Sequence, residues 1–335
     1  MPRPPLKTVA AIAGVSEPTV SRVLNGREGV SEATRIRVAD ALAQLGFDTV
    51  PEPRPVRRNV VGIVTGEFLN PVFPTLVHHI STELGRRDHQ AVIAVTERQL
   101  LPEERCIQQL TTSGVDGIVF IAGRHSQIGG SLDHYRALHE SGCPIVLVNG
   151  QATDLPVPHV RCDERAGAIK AVEHLVQLGH RRIGCLLGSS EYIPTLRFID
   201  GYRTVLARHH IDEPDGSIVE TSFTLEGGRA AATRMLDDGI TALLAGNDLM
   251  ALGAVLAARD RGDEHVAVIG YDGTDMTMFT DPPLSTLRQP FEDMAQMIVE
   301  AVLGELDDPG KFCDQYVFEP ELLARSTSRA PLPVG

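Results

Sequence analysis

A chain of 335 residues with 42% hydrophobic content has room for a small domain beside a larger two-lobed one. No run approaches membrane-spanning length, and the five cysteines lack a C-x-x-C pair or a zinc-like spacing; a membrane span, a disulfide framework and a metal site are therefore not expected. The net charge of −13 is uneven: residues 1–60 carry nine Lys or Arg against six Asp or Glu, and the remainder carries 22 against 38. Phosphates repel the acidic remainder, so any nucleic-acid contact is confined to the N-terminal end. The opening MPRPPLK lacks the apolar core of a signal peptide, which points to the cytoplasm.

Residues 8–26, TVAAIAGVSEPTVSRVLNG, spell two short helices around a tight turn. Val9, Ile12 and Ala13 sit at helical spacing and predict a hidden stripe, and Gly14 permits the turn. Ser16 is placed to cap the second helix, and Pro18 is tolerated in a first turn whose amides lack intrahelical acceptors. Val20, Val23 and Leu24 then face inward, leaving Glu17, Thr19, Ser21 and Arg22 outside, a geometry suited to the DNA major groove. The plain alternative is a helical hairpin with no DNA role.

From Val60 onward short apolar runs alternate with helical patterns. VVGIVT (60–65), AVIAVT (91–96), GIVFIA (117–122) and PIVLVN (144–149) read as buried parallel strands, with helices near 73–86, 103–113 and 132–141. The rhythm restarts with RIGCLL (182–187), ALLAG (242–246) and HVAVIG (265–270), and with helices near 164–178, 196–209, 226–238 and 248–261. Two such sets predict an α/β fold of two doubly wound parallel lobes, with a ligand cleft beyond the carboxyl ends of the strands. The expected division is a helix-turn-helix headpiece over 1–47, a linker over 48–59 and a core over 60–335. In that core, lobe 1 takes about 60–159 with 290–319, and lobe 2 about 160–289 with 320–335.

The N-terminal segment resembles the headpiece of the LacI/GalR family of bacterial transcription regulators at Val9, Ala10, Ala13 to Ser16 and Thr19 to Gly26, and onward through Val30, Ser31, Thr34, Arg35, Val38, Leu42, Leu45, Gly46 and Phe47. The core resembles the same family at LNPVF (69–73), DERAGA (163–168), HLVQLGHRRIG (174–184), LRFIDGYR (196–203), GNDLMALGA (246–254), VIGYDGT (268–274) and PPLSTLRQP (282–290). The resemblance implies a periplasmic-binding-protein-like core that binds a small effector and dimerises. One segment departs from it. The family's P-N-x-x-A-R-S-L hinge is replaced by DTVPEPRPVRRN (48–59), whose three prolines favour an extended chain over a helix. Arg54, Arg57 and Arg58 could lie along phosphates or enter a narrow minor groove, or the segment could be a plain solvated tether. Less operator bending than a hinge helix would impose is expected.

DNA contact is expected at Ser16, Glu17, Pro18, Thr19, Ser21, Arg22, Asn25, Arg54, Arg57 and Arg58, with Arg22 suited to a guanine edge and Glu17 to a cytosine amino group. For the effector, Arg197 offers a bidentate fork, Asp272 and Asn247 end adjacent strands, and Asn149 and Arg98 stand at other strand ends. Phe73 and Phe223 match family positions where an aromatic face stacks on a sugar or base. Plainer readings remain: Asn247 and Asp272 as caps, Arg197 as a surface ion pair with Asp200 or Glu191. His180 and Arg181 read as a structural corner and Asp163 as a helix cap. No activated nucleophile is visible, so neither an enzyme nor a cofactor is expected.

The expected whole is a homodimeric repressor on a roughly palindromic double-stranded DNA operator. Its control is a small molecule, a sugar or else a nucleoside or purine. An activator, a co-repressor-dependent regulator or a solute-binding protein are the alternatives, the last disfavoured by the headpiece.

Overall fold

The computed structural model describes residues 6–24, 30–46, 57–97, 101–151, 154–263 and 265–331. The chain divides into two compact units, Met1–Arg58 and Asn59–Gly335.

In the first unit, α1 (Leu6–Ala13), α2 (Glu17–Leu24) and α3 (Glu32–Gln44) enclose Val9, Ala10, Ala13, Val20, Val23, Val38, Ala41 and Leu42. Gly14 takes a positive φ of 62°, which closes the turn without a Cβ clash. The Ser16 hydroxyl accepts from the Thr19 amide at 3.3 Å, and Ser31 does the same for Thr34. One sequence expectation is corrected. Ile12 is 43% exposed and Ala10 is buried in its place, because α1 packs against both α2 and α3 along its 9-10-13 edge.

The second unit begins with β1 (Val60–Thr65), α4 (Val72–Gly85), β2 (Gln90–Val95), α5 (Glu103–Ser113), β3 (Gly117–Ile121), α6 (Asp133–Glu140), β4 (Ile145–Val148) and β5 (His159–Cys162). It continues with α7 (Glu164–Gln177), β6 (Ile183–Leu187), α8 (Ile193–Arg208), β7 (Ile218–Glu220), α9 (Leu225–Asp237), β8 (Ala242–Ala245), α10 (Asp248–Asp260), β9 (Ala267–Asp272) and β10 (Ser285–Arg288). Then α11 (Phe291–Asp307) and β11 (Gln315–Phe318) return to the first lobe, and β12 (Glu321–Leu323) to the second. The sheets run β2-β1-β3-β4-β5-β11 and β7-β6-β8-β9-β10-β12, parallel throughout except for β12 against β10. Each therefore has a topological switch point, between β1 and β3 and between β6 and β8, where a ligand crevice opens.

Central strands are buried on both faces, so Val61, Ile63, Val119, Phe120, Val146 and Leu147 read as continuous apolar runs. Burial of each such side chain stabilises by about 1.5–3 kcal/mol relative to exposure. Strand β2 is different. It lies at the sheet edge, and Val92 and Ile93 are 41% and 42% exposed where burial was expected. Five further strands, β5, β7, β10, β11 and β12, have no counterpart in the sequence reading; they are short, and polar residues such as His159, Arg161, Ser285 and Arg288 break their apolar runs. Because β5 stays in the first sheet through Cys162, the chain crosses between lobes at Asp163, slightly later than residue 160. The other two crossings lie between β10 and α11 and between β11 and β12.

Asp163 caps α7, its Oδ1 accepting from the Ala166 amide at 3.1 Å. His180 is fully buried, with Nδ1 3.0 Å from Thr241 Oγ1 and Nε2 2.6 Å from the Arg329 carbonyl, so it holds the corner before β6. Cys106, Cys162 and Cys185 are buried in the core, Cys143 is half-buried and Cys313 is exposed.

Candidate functional site

On the first unit, α2 presents Glu17, Pro18 and Arg22 to solvent, with Thr19 and Ser21 half-buried at its edges. Ser16 is exposed, and its hydroxyl also lies 2.8 Å from Thr19 Oγ1, which fixes both side chains at the helix start. Arg57 and Arg58 are exposed. Asn25, Arg54 and most of the proline-rich linker lie outside the described residues.

The second unit holds a cavity of about 770 Å³ at the carboxyl ends of both sheets. Its wall comes from the loops that follow the strands: Gly66, Glu67 and Asn70 after β1, Ala122–Arg124, Ser126 and Gln127 after β3, Asn149 after β4, and Glu164 after β5. From the second lobe come Glu191, Tyr192 and Thr195 after β6, Phe223 after β7, Asn247 after β8, Asp272 ending β9, and Gln289 after β10. Of the sequence candidates, Phe73, Asn149, Phe223, Asn247 and Asp272 thus share one cavity. Arg98 lies outside the described residues.

Arg197 is not in the wall. Its guanidinium donates to Gln151 Oε1 at 3.0 Å and to Glu164 Oε2 at 3.5 Å, so it pairs with neither Asp200 nor Glu191. It stands four residues before Gly201, whereas the family pattern that LRFIDGYR (196–203) resembles, R-x-x-G-Y/F, sets the arginine three before; one residue is about 100° of helix rotation. The position three before is Phe198, buried edge-on to Tyr271. Arg197 instead clamps the lobes, because Gln151 follows β4 of the first sheet and α8 belongs to the second. The Ile128 amide donates to the Glu191 carbonyl across the same gap at 2.8 Å.

Several wall residues are already committed to the scaffold. Asn247 caps α10, Oδ1 accepting from the Met250 amide at 2.8 Å while Nδ2 donates to the Phe223 carbonyl at 3.2 Å. The cap and the cavity position coexist. Asn149 sits in the left-handed region, φ 63°, which Asn tolerates, and its buried Oδ1 has no hydrogen-bond partner. That acceptor needs a donor. Gly188 leaves room for the Phe223 ring, since a Cβ there would come within 2.0 Å of it.

The wall is acidic, with Glu67, Glu97, Glu103, Glu164, Glu191 and Asp272 against Arg124 among the described lining residues. Burial disfavours the charge on Glu103, but hydrogen bonds from His134 (2.5 Å) and Tyr135 outweigh it and hold the carboxyl below its usual range. For Glu164 burial wins over Arg197 and Arg161 and pushes the carboxyl up. Burial and the neighbouring Glu97 push Glu67 up, and its Oε2 is buried without a partner. Sequence reasoning missed Glu67, Glu103, Arg124, Gln127, Glu164 and Gln289. Arg124 does follow an apolar strand run, the one signal that could have found it.

Two family descriptions match this chain: bacterial regulatory proteins of the lacI family over residues 5–49, and a periplasmic-binding-protein-like domain over 172–328. The transcriptional regulator MalR of Streptomyces coelicolor is 39% identical, across 97% of each chain. The chain belongs to the LacI family. Among solved LacI-family structures, the CelR–cellobiose complex is similar with a TM-score of 0.73 at 29% identity, covering 97% of this chain and 100% of that one. A lac repressor dimer bound to operator and the anti-inducer ONPF gives 0.72 at 26%, covering 98% and 100%. As a LacI-family member the chain is a DNA-binding transcription regulator rather than an enzyme. No helix among the described residues is long and apolar enough to cross a membrane.

Proposed function

We propose that this regulator is a dimeric repressor whose grip on a roughly palindromic operator is set by an uncharged sugar bound between the lobes. The observation that carries the reading is the single cavity in which two aromatic faces, Phe73 and Phe223, meet Asn149, Asn247 and Asp272. Flat apolar faces suit the C–H face of a pyranose, and converging amide and carboxyl groups suit its hydroxyls. The excess of carboxylates over Arg124 disfavours a sugar phosphate. The bound sugar named for the CelR complex supports the same class.

Glu17, Thr19 and Arg22 are assigned to base edges, and Arg57 and Arg58 to backbone phosphates. Arg197 serves the cleft as a clamp between lobes. Effector binding at the clamped cleft changes the relative setting of the lobes, and operator affinity changes by the coupling free energy. A second copy covers exposed apolar groups on both lobes: Leu69 (85% exposed) and the β2 edge residues Val92 and Ile93 on one, and Phe279 (84%) with Met278 on the other. A DNA target places the protein in the cytoplasm.

The test is a thermal-shift series on the full chain with neutral sugars, cellobiose included, their phosphates and nucleosides. A sugar at 100 times its Kd should stabilise by about 2.7 kcal/mol and should weaken operator binding. Phe223→Ala should reduce the shift. Stabilisation by nucleosides or sugar phosphates alone, or by no member of the panel, overturns the sugar assignment.

A further inference from the structure

Asp248, the first residue of α10, is 2% exposed and carries its own set of donors. Its Oδ2 accepts from the Thr274 amide at 3.0 Å and the Thr274 hydroxyl at 3.2 Å, and its Oδ1 from the Thr286 hydroxyl at 2.6 Å. The carboxyl occupies the space left by Gly270, where a Cβ would stand 2.6 Å from Oδ1. Gly270 and Asp272 are two apart on β9, and Asp272 ends that strand. Asp248 thus sits against β9 behind the cavity wall, near enough for its charge to act on Asp272.

Asp272 is 5% exposed, and its Oδ1 accepts from Gln289 Nε2 at 2.9 Å. Among the described residues no cation is aimed at the pair. Arg288, in register with Asp272 on β10, turns outward to Glu321. From β5 and α7, Cys162 and Glu164 face the adjacent Tyr271, and Arg161 and Arg197 are engaged by Glu164. Asn247, beside Asp248, is uncharged. Two adjacent buried carboxyls without a counter-ion do not both ionise, and the one with more donors takes the charge. That one is Asp248.

We propose that Asp248 is a positioning residue that keeps Asp272 as a neutral carboxylic acid, so that this side of the effector cavity can donate a hydrogen bond. The proposal rests on the effector reading of the cavity for its function, but not for its test. Burial and the Asp248 charge together push the Asp272 carboxyl well above the usual carboxylate range. A ligand whose acceptor oxygen meets Asp272 is bound without proton exchange. One whose hydroxyls donate to both Asp272 oxygens requires the carboxylate, and the displaced proton passes to solvent. Affinity for such a ligand falls about tenfold for each pH unit below the pKa of Asp272.

The decisive measurement is isotope-edited infrared spectroscopy of the full chain with carboxyl-labelled aspartate. At neutral pH the wild type should show a carboxylic-acid C=O band that is absent in Asp272→Asn and titrates at lower pH in Asp248→Asn. No such band in the wild type, a band that survives Asp272→Asn, or one that Asp248→Asn leaves unmoved overturns the proposal. Should Asp248→Asn not fold, Thr286→Val removes one donor from Asp248 while keeping both carboxyls, and an unchanged titration in that variant counts against it. With cellobiose as probe, calorimetry in two buffers of different ionisation enthalpy reads any released proton. Failure of every sugar to bind defeats the effector reading, while the infrared bands still decide the protonation of Asp272.

Discussion

Replacing Asn247 separates the scaffold role of a cavity residue from its role toward a ligand. In Asn247→Ala the Met250 amide loses its cap, about 1 kcal/mol. The Phe223 carbonyl also loses its donor in a region where Asn247 is only 2% exposed, a further cost of about 1–2 kcal/mol. The expected total is about 2–3 kcal/mol, and at roughly 2–4 °C per kcal/mol for a unit of this size the core transition should fall by about 5–10 °C. Asn247→Ser keeps an acceptor for the cap but cannot reach Phe223, so it should recover about 1 kcal/mol of that loss. Scanning calorimetry of the full chain, following the core transition, gives both values. An alanine variant indistinguishable from wild type, or a serine variant as unstable as alanine, would refute the assignment of Asn247 as a working cap.

Arg22→Ala should cost about 1–3 kcal/mol of operator affinity and relax one base position in an anisotropy titration, whereas an equal loss on every sequence would mark a phosphate contact. Removing Arg57 and Arg58 together should weaken binding on all sequences alike and make the salt slope shallower by about one unit per contact. Phe279→Asp places a charge on a ring that is 84% exposed, and should shift the protein toward monomer in sedimentation velocity without a loss of core stability. The Glu103 carboxyl is held below its ordinary value of 4.5, so it adds stability above that pH, which is lost as pH falls through its folded pKa. Glu103→Gln should therefore flatten the acid limb of the stability profile; an unaltered limb would contradict the His134 and Tyr135 bonding.

The elements that could be read from residues alone are those whose cause is local. The headpiece helices follow from apolar spacing, a glycine at positive φ and serine caps, all within a few residues of one another. Strands β1, β3 and β4 were legible as apolar runs because a parallel sheet buries both faces. Strand β2 carries the same kind of run and still lies half-exposed, because periodicity does not say whether a strand has one neighbour or two. Asn149, Asn247 and Asp272 were within reach as residues next to strand ends, which is where this topology gathers its ligand crevice, and Phe73 and Phe223 through the family resemblance.

Sequence by itself determined the class of the molecule: a helix-turn-helix unit, then two doubly wound lobes, with basic charge at the DNA end and acidic charge elsewhere. Tertiary structure alone decided how side chains are spent. It turned Arg197 from the cavity wall to Gln151 and Glu164, tied Glu103 to His134, and set Asp248 against Asp272 through the gap at Gly270. The physical reason is one of range. Backbone preference and burial pattern act over a turn or a strand, whereas charge, hydrogen bonding and protonation depend on neighbours far along the chain, 46 positions between Gln151 and Arg197 and 149 between His180 and Arg329.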